Sequence, residues 1–476
     1  MTQSVETTGG APAHGRNFTP PGAELRSWLG WLEKNGLLAV AKPGVKLKFE
    51  LAGVANRLDG DKASYFPAPD GHNVPVVSGL LSVRSWMAHA LGISEDDLLK
   101  HYQQAVRNPL PPTPSNDPAC QQTVHRDVDL TRLLPIPTHN ELDSGAYITA
   151  GLIIVRNPVS GAQNVAIVRL QVSDKDRLGA LILPRHTLAF NELAEKQGKD
   201  LDLAIVIGAS PAELLASQAI VPIGFDELSI AGALTGASLP VAKCLNSDIV
   251  VPANAEIVLE GRLLAGVRAP EGPFGEFPQY YGERADRHVI AIDLVTHRED
   301  PIYHSITGGS LEHLMLGCIP REATILESIQ QNFPSVVNLT LSRGGVCRYH
   351  LYVQMNPRSA GEAKNVIMAA FAAHYDIKQV IVVDTDVDIY NPREVEWAVA
   401  TRFQASCDLV IIHNSQNSKL DPSTDNGVGS KMGLDATKPL DADDFTFKRI
   451  AVPGQNSIDL NERLDAQGAL PETYKR

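Results

Sequence analysis

Tyr147-Ile-Thr-Ala-Gly-Leu-Ile-Ile-Val155, a turn through Asn157-Pro-Val-Ser-Gly161, and Val165-Ala-Ile-Val-Arg-Leu-Gln-Val172 place two runs rich in β-branched residues on either side of a Pro/Gly turn, the pattern of an antiparallel hairpin. Further strands are expected at Leu203 to Ile207, Ile257 to Leu259 and Val289 to Val295, so the middle of the chain reads as mainly β, a barrel with helical insertions. From about Arg321 the pattern turns to alternation. A helix through Ala323 to Gln331 precedes strands at Val336 to Leu341 and His350 to Gln354. A helix at Glu362 to His374, a strand at Gln379 to Val383, a helix from Pro392 to Arg402 and a strand at Leu409 to Ile412 complete a layered α/β domain. Toward the N-terminus Leu25, Trp28, Leu29 and Leu32 keep the i, i+3, i+4, i+7 spacing of an amphipathic helix, which Gly36 ends before a strand at Leu37 to Val40. Asn108-Pro-Leu-Pro-Pro-Thr-Pro114, followed by Ser115-Asn-Asp-Pro118, holds too many prolines for regular structure and reads as an interdomain linker. The expected organisation is α/β (α+β): a flexible tail over 1–18, an N-terminal α/β domain over 19–117, a β-rich domain over 118–318, an α/β domain over 319–455, and a polar tail or helix over 456–476 that reaches a partner subunit.

At 476 residues the chain exceeds the size at which one core stops growing, so more than one domain is expected. No apolar run of about 18 residues could span a bilayer. The five cysteines, Cys120, Cys244, Cys318, Cys347 and Cys407, form neither a CxxC pair nor a disulfide framework, which fits a reducing cytoplasm. A net charge of -13 disfavours nucleic-acid or anionic-membrane partners. It also means that an anionic substrate needs a locally positive site.

Glu271-Gly272-Pro273-Phe274-Gly275-Glu276 is the most informative segment for chemistry. Two glycines and a proline forbid a regular helix, so the chain turns tightly and can aim both carboxylates at one point. Close carboxylates raise one another's pKa, which suits general acid work near neutral pH. Taken alone, the sextet reads as a solvated Gly-Pro turn with two surface glutamates. In Gln163-Asn-Val-Ala-Ile-Val-Arg169, Asn164 can act as a ligand at the strand mouth and Arg169 can hold a carboxylate bidentately, though taken alone the segment reads as a turn asparagine and an outward arginine. Taken alone, His186 reads as a satisfied structural histidine and Glu227 as an ordinary surface acid. Asp384-Thr-Asp-Val-Asp388 fails as a calcium loop, because Ile389 and Val395 stand where glycine and glutamate are required, and one of its aspartates is expected to cap the helix near Pro392. Gly427-Val-Gly-Ser-Lys431 lacks P-loop spacing, leaving a mobile loop or an anion cradle with Lys431.

Taken together and in order, these segments resemble the UbiD family of prenylated-flavin-dependent decarboxylases. The resemblance runs from about Thr123 to Pro439. It rests on Asn164 with Arg169, His186, Asp226-Glu227 before Ala231-Gly-Ala-Leu-Thr-Gly236, and Val251-Pro-Ala-Asn-Ala-Glu-Ile-Val-Leu-Glu-Gly261. Glu271-Gly-Pro-Phe-Gly-Glu276, Glu396-Trp-Ala-Val-Ala-Thr-Arg402 and Gly429-Ser-Lys-Met-Gly-Leu-Asp-Ala-Thr-Lys-Pro439 continue it. The resemblance implies a Glu-Arg-Glu catalytic network at Arg169, Glu271 and Glu276, with Glu276 as proton donor. It implies that Asn164, His186 and Glu227 bind Mn²⁺ or Mg²⁺ against the phosphate of prenylated FMN, with Arg402 near an accompanying K⁺. The cofactor contacts it implies are Asn164, Val165, Arg169, His186, Glu227 and Lys431, the last replacing a lysine that some members carry where this chain has Ala372.

The resemblance further implies a middle split β-barrel of flavin-binding type, a C-terminal dimerisation domain giving a homodimer or higher oligomer, and a flavin prenyltransferase as cofactor supplier. Loss of CO2 from an sp² carbon leaves a carbanion that no side chain can delocalise, so an organic electron sink is required. The expected activity is reversible decarboxylation of an aromatic, heteroaromatic or α,β-unsaturated acid, with His304 and Thr307 lining the substrate pocket. A metal-dependent decarboxylase or hydrolase without flavin, and a non-catalytic flavin-binding protein, are the competing readings.

Overall fold

The computed structural model describes residues 19–443, 445–464 and 468. The tail expected over 1–18 lies outside the described residues, as does the end of the 456–476 extension, within which one helical turn, Leu460–Arg463, is described.

Helix α1 (Leu25–Lys34) buries Leu25, Trp28, Leu29 and Leu32 on one face, and Gly36 takes the left-handed conformation just past its end. The Trp28 indole N–H donates to the Leu80 carbonyl at 3.0 Å, which satisfies the polar edge of a fully buried ring. Strands β1 (Leu38–Val40), β2 (Ala63–Phe66) and β3 (Val76–Ser78) form a small sheet whose fourth strand, Tyr303–His304, returns from the far side of the middle region. The proline-rich stretch is not free of regular structure. Thr113–Pro114 runs parallel to Pro240–Val241, because only the Thr113 and Ser115 N–H groups need partners and they find the Leu239 and Val241 carbonyls.

The central sheet has nine strands. Eight lie along one path: β4 (Tyr147–Ile148), β5 (Leu152–Arg156), β6 (Gln163–Ile167), β7 (Leu170–Asp174), β8 (Arg177–Ala180), β9 (Leu201–Ile207), β10 (Ile257–Glu271) and β11 (Ala285–His297). Their spatial order is β4-β7-β8-β11-β10-β9-β5-β6, and Thr123–His125 adds to β11. The expected hairpin is present, with β5 and β6 in antiparallel register from Leu152↔Ile167 to Arg156↔Gln163. Each expected run is nonetheless two strands, because the ribbon bends between Ile148 and Leu152 and again at Val168–Arg169. Gly151 permits the bend, since a Cβ there would sit 2.9 Å from the Ile205 side chain. As β4 leads into β5 and β6 into β7, the two ends of the sheet path belong to one bent ribbon. The sheet therefore curls as a barrel does, while β4 and β6 do not pair to close it.

Helices α2 (His186–Glu195) and α3 (Glu227–Thr235) flank this sheet. The C-terminal region opens with α4 (Leu311–Gln330), which starts twelve residues earlier than the spacing predicted and carries Pro320 inside it. A proline there removes one backbone donor, and this is tolerated because thirteen residues of α4 are buried and Ser310 caps its first turn. The cut drawn at 318/319 falls within this helix. Strands β12 (Val336–Leu341) and β13 (His350–Met355), helix α5 (Glu362–Ala373), strand β14 (Gln379–Asp384), helix α6 (Pro392–Arg402), and strands β15 (Leu409–Gln416) and β16 (Val428–Ala436) follow, in sheet order β12-β13-β14-β16-β15. Asn391, not one of the preceding aspartates, caps α6. The glycine-rich segment near Lys431 is neither mobile loop nor cradle. It enters strand β16, where Val428, Gly429 and Lys431 pair with β15, and pairing with β14 begins at Met432.

Candidate active site

Arg169 stands at the bend between β6 and β7, where the pleat alternation is interrupted. Glu271 ends the fifteen-residue strand β10, and Glu276 follows a two-residue strand, Phe274–Gly275, that pairs back onto Tyr281–Gly282. Gly272, at φ +87°, makes the intervening turn, and a Cβ there would lie 2.9 Å from the Glu283 carbonyl. The outcome is one guanidinium between two carboxylates: Arg169 Nη2 donates to Glu271 Oε2 at 3.0 Å, and Nη1 pairs with Glu276 Oε1. The guanidinium also covers the Phe274 ring at 5.3 Å.

Glu271 is fully buried and receives the Tyr147 hydroxyl at 3.1 Å, so both of its oxygens are engaged. Glu276 keeps 9% of its surface exposed and has Arg169 as its side-chain partner. Burial pushes the Glu276 carboxyl above its ordinary pKa despite the opposing pull of Arg169. Arg169 is held above its ordinary value, because Glu276 and Glu271 together outweigh the burial that opposes its charge. A carboxyl poised to hold a proton thus lies beside a permanent cation that can orient an anionic substrate. Two glycines leave room for this group: a Cβ on Gly282 would sit 3.0 Å from Arg169 Nη1, and one on Gly179 would sit 3.2 Å from Glu271 Cγ.

A second cluster hangs on the same ribbon five residues earlier. His186 Nδ1 lies 3.0 Å from Asn164 Oδ1, and Glu227 Oε2 accepts the Val165 N–H at 2.9 Å. His186 and Glu227 are the first residues of α2 and α3, so two helix N-termini point toward the strand mouth. Glu227 is buried, and among the described residues no cationic side chain pairs with it; desolvation pushes its pKa up to about 8, against the pull of the Val165 N–H. An amide oxygen, an imidazole nitrogen and an uncompensated carboxylate make a donor set that fits a hard or borderline divalent ion.

Three expected residues stand elsewhere or act structurally. Arg402 pairs with Asp384 (2.6 Å) and Asp386 (2.8 Å) beneath Trp397, in the C-terminal layer. Lys431 donates to the carbonyls of Tyr375 (2.8 Å) and Ile377 (2.5 Å) over the Phe371 ring, so its ammonium is engaged by backbone. His304 Nε2 lies 3.1 Å from Glu312, whose carboxylate also receives the Gly79 and Leu80 N–H groups; this ties α4 to the N-terminal sheet. Thr307 is buried one residue before Gly308, which packs against the Gly275 carbonyl, and so stands beside the Glu271–Glu276 turn. Sequence reasoning missed Tyr147, Gln171, His313, Arg321 and Arg348 around this turn. Its one available signal was the need for positive charge in an acidic chain.

The same architecture is found in known proteins. Family models described as the N-terminal, Rift-related and C-terminal domains of 3-octaprenyl-4-hydroxybenzoate carboxy-lyase match residues 29–106, 113–311 and 314–436. The chain belongs to the UbiD family. It is 38% identical over 380 residues to the anhydromevalonate phosphate decarboxylase of Methanothermobacter thermautotrophicus, covering 80% of this chain and 89% of that protein. The UbiD-class enzyme HmfF from Pelotomaculum thermopropionicum, solved in complex with FMN, superposes with a TM-score of 0.91 at 46% identity over 92% of this chain and all of that one. The 3,4-dihydroxybenzoic acid decarboxylase of Enterobacter cloacae gives a TM-score of 0.85 at 29% identity over 90% and 96% of the two chains. As a UbiD-family protein the chain is a decarboxylase, a carboxy-lyase of mixed α/β fold. Among the described residues no helix is long and apolar enough to cross a membrane.

Proposed function

We propose that the chain removes CO2 from an unsaturated carboxylic acid with prenylated FMN as its electron sink, using Arg169, Glu271 and Glu276. The observation that carries this reading is the buried Glu271–Arg169–Glu276 array, with the oxygens of Glu271 fully engaged and Glu276 left to exchange a proton. The HmfF enzyme has also been solved with prenylated FMN, at 44% identity to this chain. When bound, that cofactor supplies the delocalisation that the carbanion needs. Arg169 orients the substrate carboxylate, Glu271 holds Arg169 in place, and Glu276 delivers a proton to the carbon that loses CO2.

Asn164, His186 and Glu227 would hold Mn²⁺ or Mg²⁺ against the cofactor phosphate, with the Val165 backbone alongside; the neutral amide and imidazole leave net positive charge for the phosphate. Neither Arg402 nor Lys431 is needed for this arrangement. Both aromatic acids and acids of the anhydromevalonate phosphate type stand among the substrates named for relatives, so the reading extends to unsaturated acids generally. Self-association through the C-terminal domain is supported by Ile411 and Met432, exposed on the edge strand β15 and its neighbour β16. The deciding experiment expresses the chain with and without a flavin prenyltransferase, weighs the released cofactor and screens acids for CO2 release. Prenylated FMN with turnover is expected only from the first host; full activity with unmodified FMN overturns the reading.

A further inference from the structure

Tyr147, Gln171 and Gly179 stand side by side on three neighbouring strands: Tyr147 pairs with Gln171 across β4 and β7, and Gln171 pairs with Gly179 across β7 and β8. Directly paired residues share one face of a sheet, so Tyr147 and Gln171 project together while Gly179 leaves a gap beside them. Glu271 fills that gap. A Cβ on Gly179 would meet Glu271 Cγ at 3.2 Å and Gln171 Cβ at 3.8 Å. The row thus brings four polar groups around the Tyr147 hydroxyl: Glu271 Oε1 at 3.1 Å, Gln171 Oε1 at 3.2 Å, the Pro273 carbonyl at 3.4 Å and Ser144 Oγ at 3.1 Å.

A phenol has one hydrogen to give, and three acceptors compete for it. The Gln171 oxygen already receives the Gly272 N–H at 3.0 Å, and the Pro273 carbonyl already receives the Ser144 N–H at 3.0 Å. Among the described residues Glu271 Oε1 has no other donor, and an ionised acceptor makes the stronger bond, so the hydrogen goes to Glu271. The exposed Ser144 hydroxyl then gives its own hydrogen to the phenol oxygen. Burial raises the Tyr147 hydroxyl above its ordinary pKa and Glu271 adds to the rise, so the phenol stays a donor. Its ring is fixed as well. It is fully buried and packs on Phe274 with centroids 4.4 Å apart, and Phe274 also lies under the Arg169 guanidinium. Glu271 needs this second contact. The terminal torsion of a glutamate is soft, so the bond from Glu271 Oε2 to Arg169 Nη2 cannot by itself fix the carboxylate plane.

We infer that Tyr147 is a positioning residue of the decarboxylase: its hydroxyl fixes the carboxylate plane of Glu271, and through it the Arg169 guanidinium that receives the substrate carboxylate. The inference rests on the function proposed above. Ser144 and Gln171 support the phenol from outside the array, the first by filling its acceptor side and the second by holding the Gly272 N–H that starts the turn toward Glu276. Tyr147 acts before chemistry, on the geometry that binds the substrate, and transfers no proton to carbon.

The test compares Tyr147→Phe, Glu271→Gln and the double variant with the unmodified protein, all loaded with prenylated FMN, in steady-state CO2 release from the acid that the screen above identifies. Tyr147→Phe keeps the ring on Phe274, and Gln171 and Pro273 keep their backbone donors, so the variant should fold and hold its full complement of cofactor. It should raise KM by about five- to tenfold and lower kcat by no more than about twofold, because it loosens substrate orientation and leaves Glu276 in place. In Glu271→Gln the new amide faces Tyr147, which cancels the bond, so the double variant should be no worse than Glu271→Gln alone. A residue that merely filled space would give losses that multiply. An unchanged KM in Tyr147→Phe, a loss in kcat alone, or multiplying losses in the double variant overturns the inference. Loss of fold or of cofactor in Tyr147→Phe also overturns it, since the hydroxyl would then serve the scaffold. Failure of the decarboxylase reading is seen separately, as absent CO2 release by the unmodified protein from every acid.

Discussion

Replacing Glu276 by glutamine keeps the shape of the side chain and removes its proton. Glu276 retains only 9% exposure and has Arg169 as its side-chain partner, so bulk water has poor access to the carbon it would protonate. Loss of a general acid costs about 10²–10⁴-fold in rate. That corresponds to roughly 3–5 kcal/mol of barrier, and the sheltered position favours the upper end. Glu271→Gln acts differently. Its oxygens face Arg169 and Tyr147, so the variant weakens one charge-assisted hydrogen bond worth about 1.5–3 kcal/mol and should raise KM more than it lowers kcat. The assay is exchange of the product's hydrogen with deuterated water, which needs proton transfer at carbon without net CO2 loss. Glu276→Gln should abolish exchange while cofactor content and fold persist; exchange at the unmodified rate would refute the assignment. The pH profile supplies the sign. Burial raises the Glu276 pKa, so the carboxyl stays protonated to higher pH than usual and kcat should fall as pH rises through that raised value.

If the proposed metal site holds, His186→Ala and Glu227→Ala should each give folded protein with little bound flavin, because removing one ligand leaves the phosphate charge poorly compensated; mass spectrometry of the extracted cofactor reads this, and chelation should mimic it. Gly282→Ala places a methyl 3.0 Å from Arg169 Nη1 and should cut kcat/KM by about tenfold through misplacement of the guanidinium, with the unfolding midpoint unchanged. Burial lowers His139 to about 4, below the unfolded value near 6.5, so the unfolded chain binds the extra proton between these values. Its share of stability, about 3 kcal/mol, is full above pH 6.5 and lost as pH falls toward 4; urea unfolding at pH 7 and pH 5 should show the drop, and His139→Gln should flatten it.

Local pattern carried much of the fold. The spacing of Leu25, Trp28, Leu29 and Leu32 named a helix and its buried face, Pro392 marked the start of α6, and the β-branched runs at Val336 and Gln379 named strands that the structure keeps. These features depend on side-chain periodicity and capping, both written within a few residues. The Glu271–Glu276 sextet likewise excluded a regular helix and so allowed two carboxylates to be aimed at one point, because proline fixes φ and glycine opens turn conformations whatever surrounds them. Elsewhere long-range packing decided. Pro320 reads as a helix breaker, yet the burial around α4 outweighs one missing hydrogen bond. Lys431 looks like an anion ligand until its ammonium is seen to be engaged by the carbonyls of Tyr375 and Ile377. No spacing rule could bring Arg348 beside Arg321 over Gly317, since their approach depends on how the loop before β13 lies on α4. The residue types for chemistry were thus present in the sequence, but which charges meet, and which stay uncompensated, follows from contacts between segments far apart in the chain. The strength of each such contact is set by desolvation, a property of the packed interior and not of any local stretch.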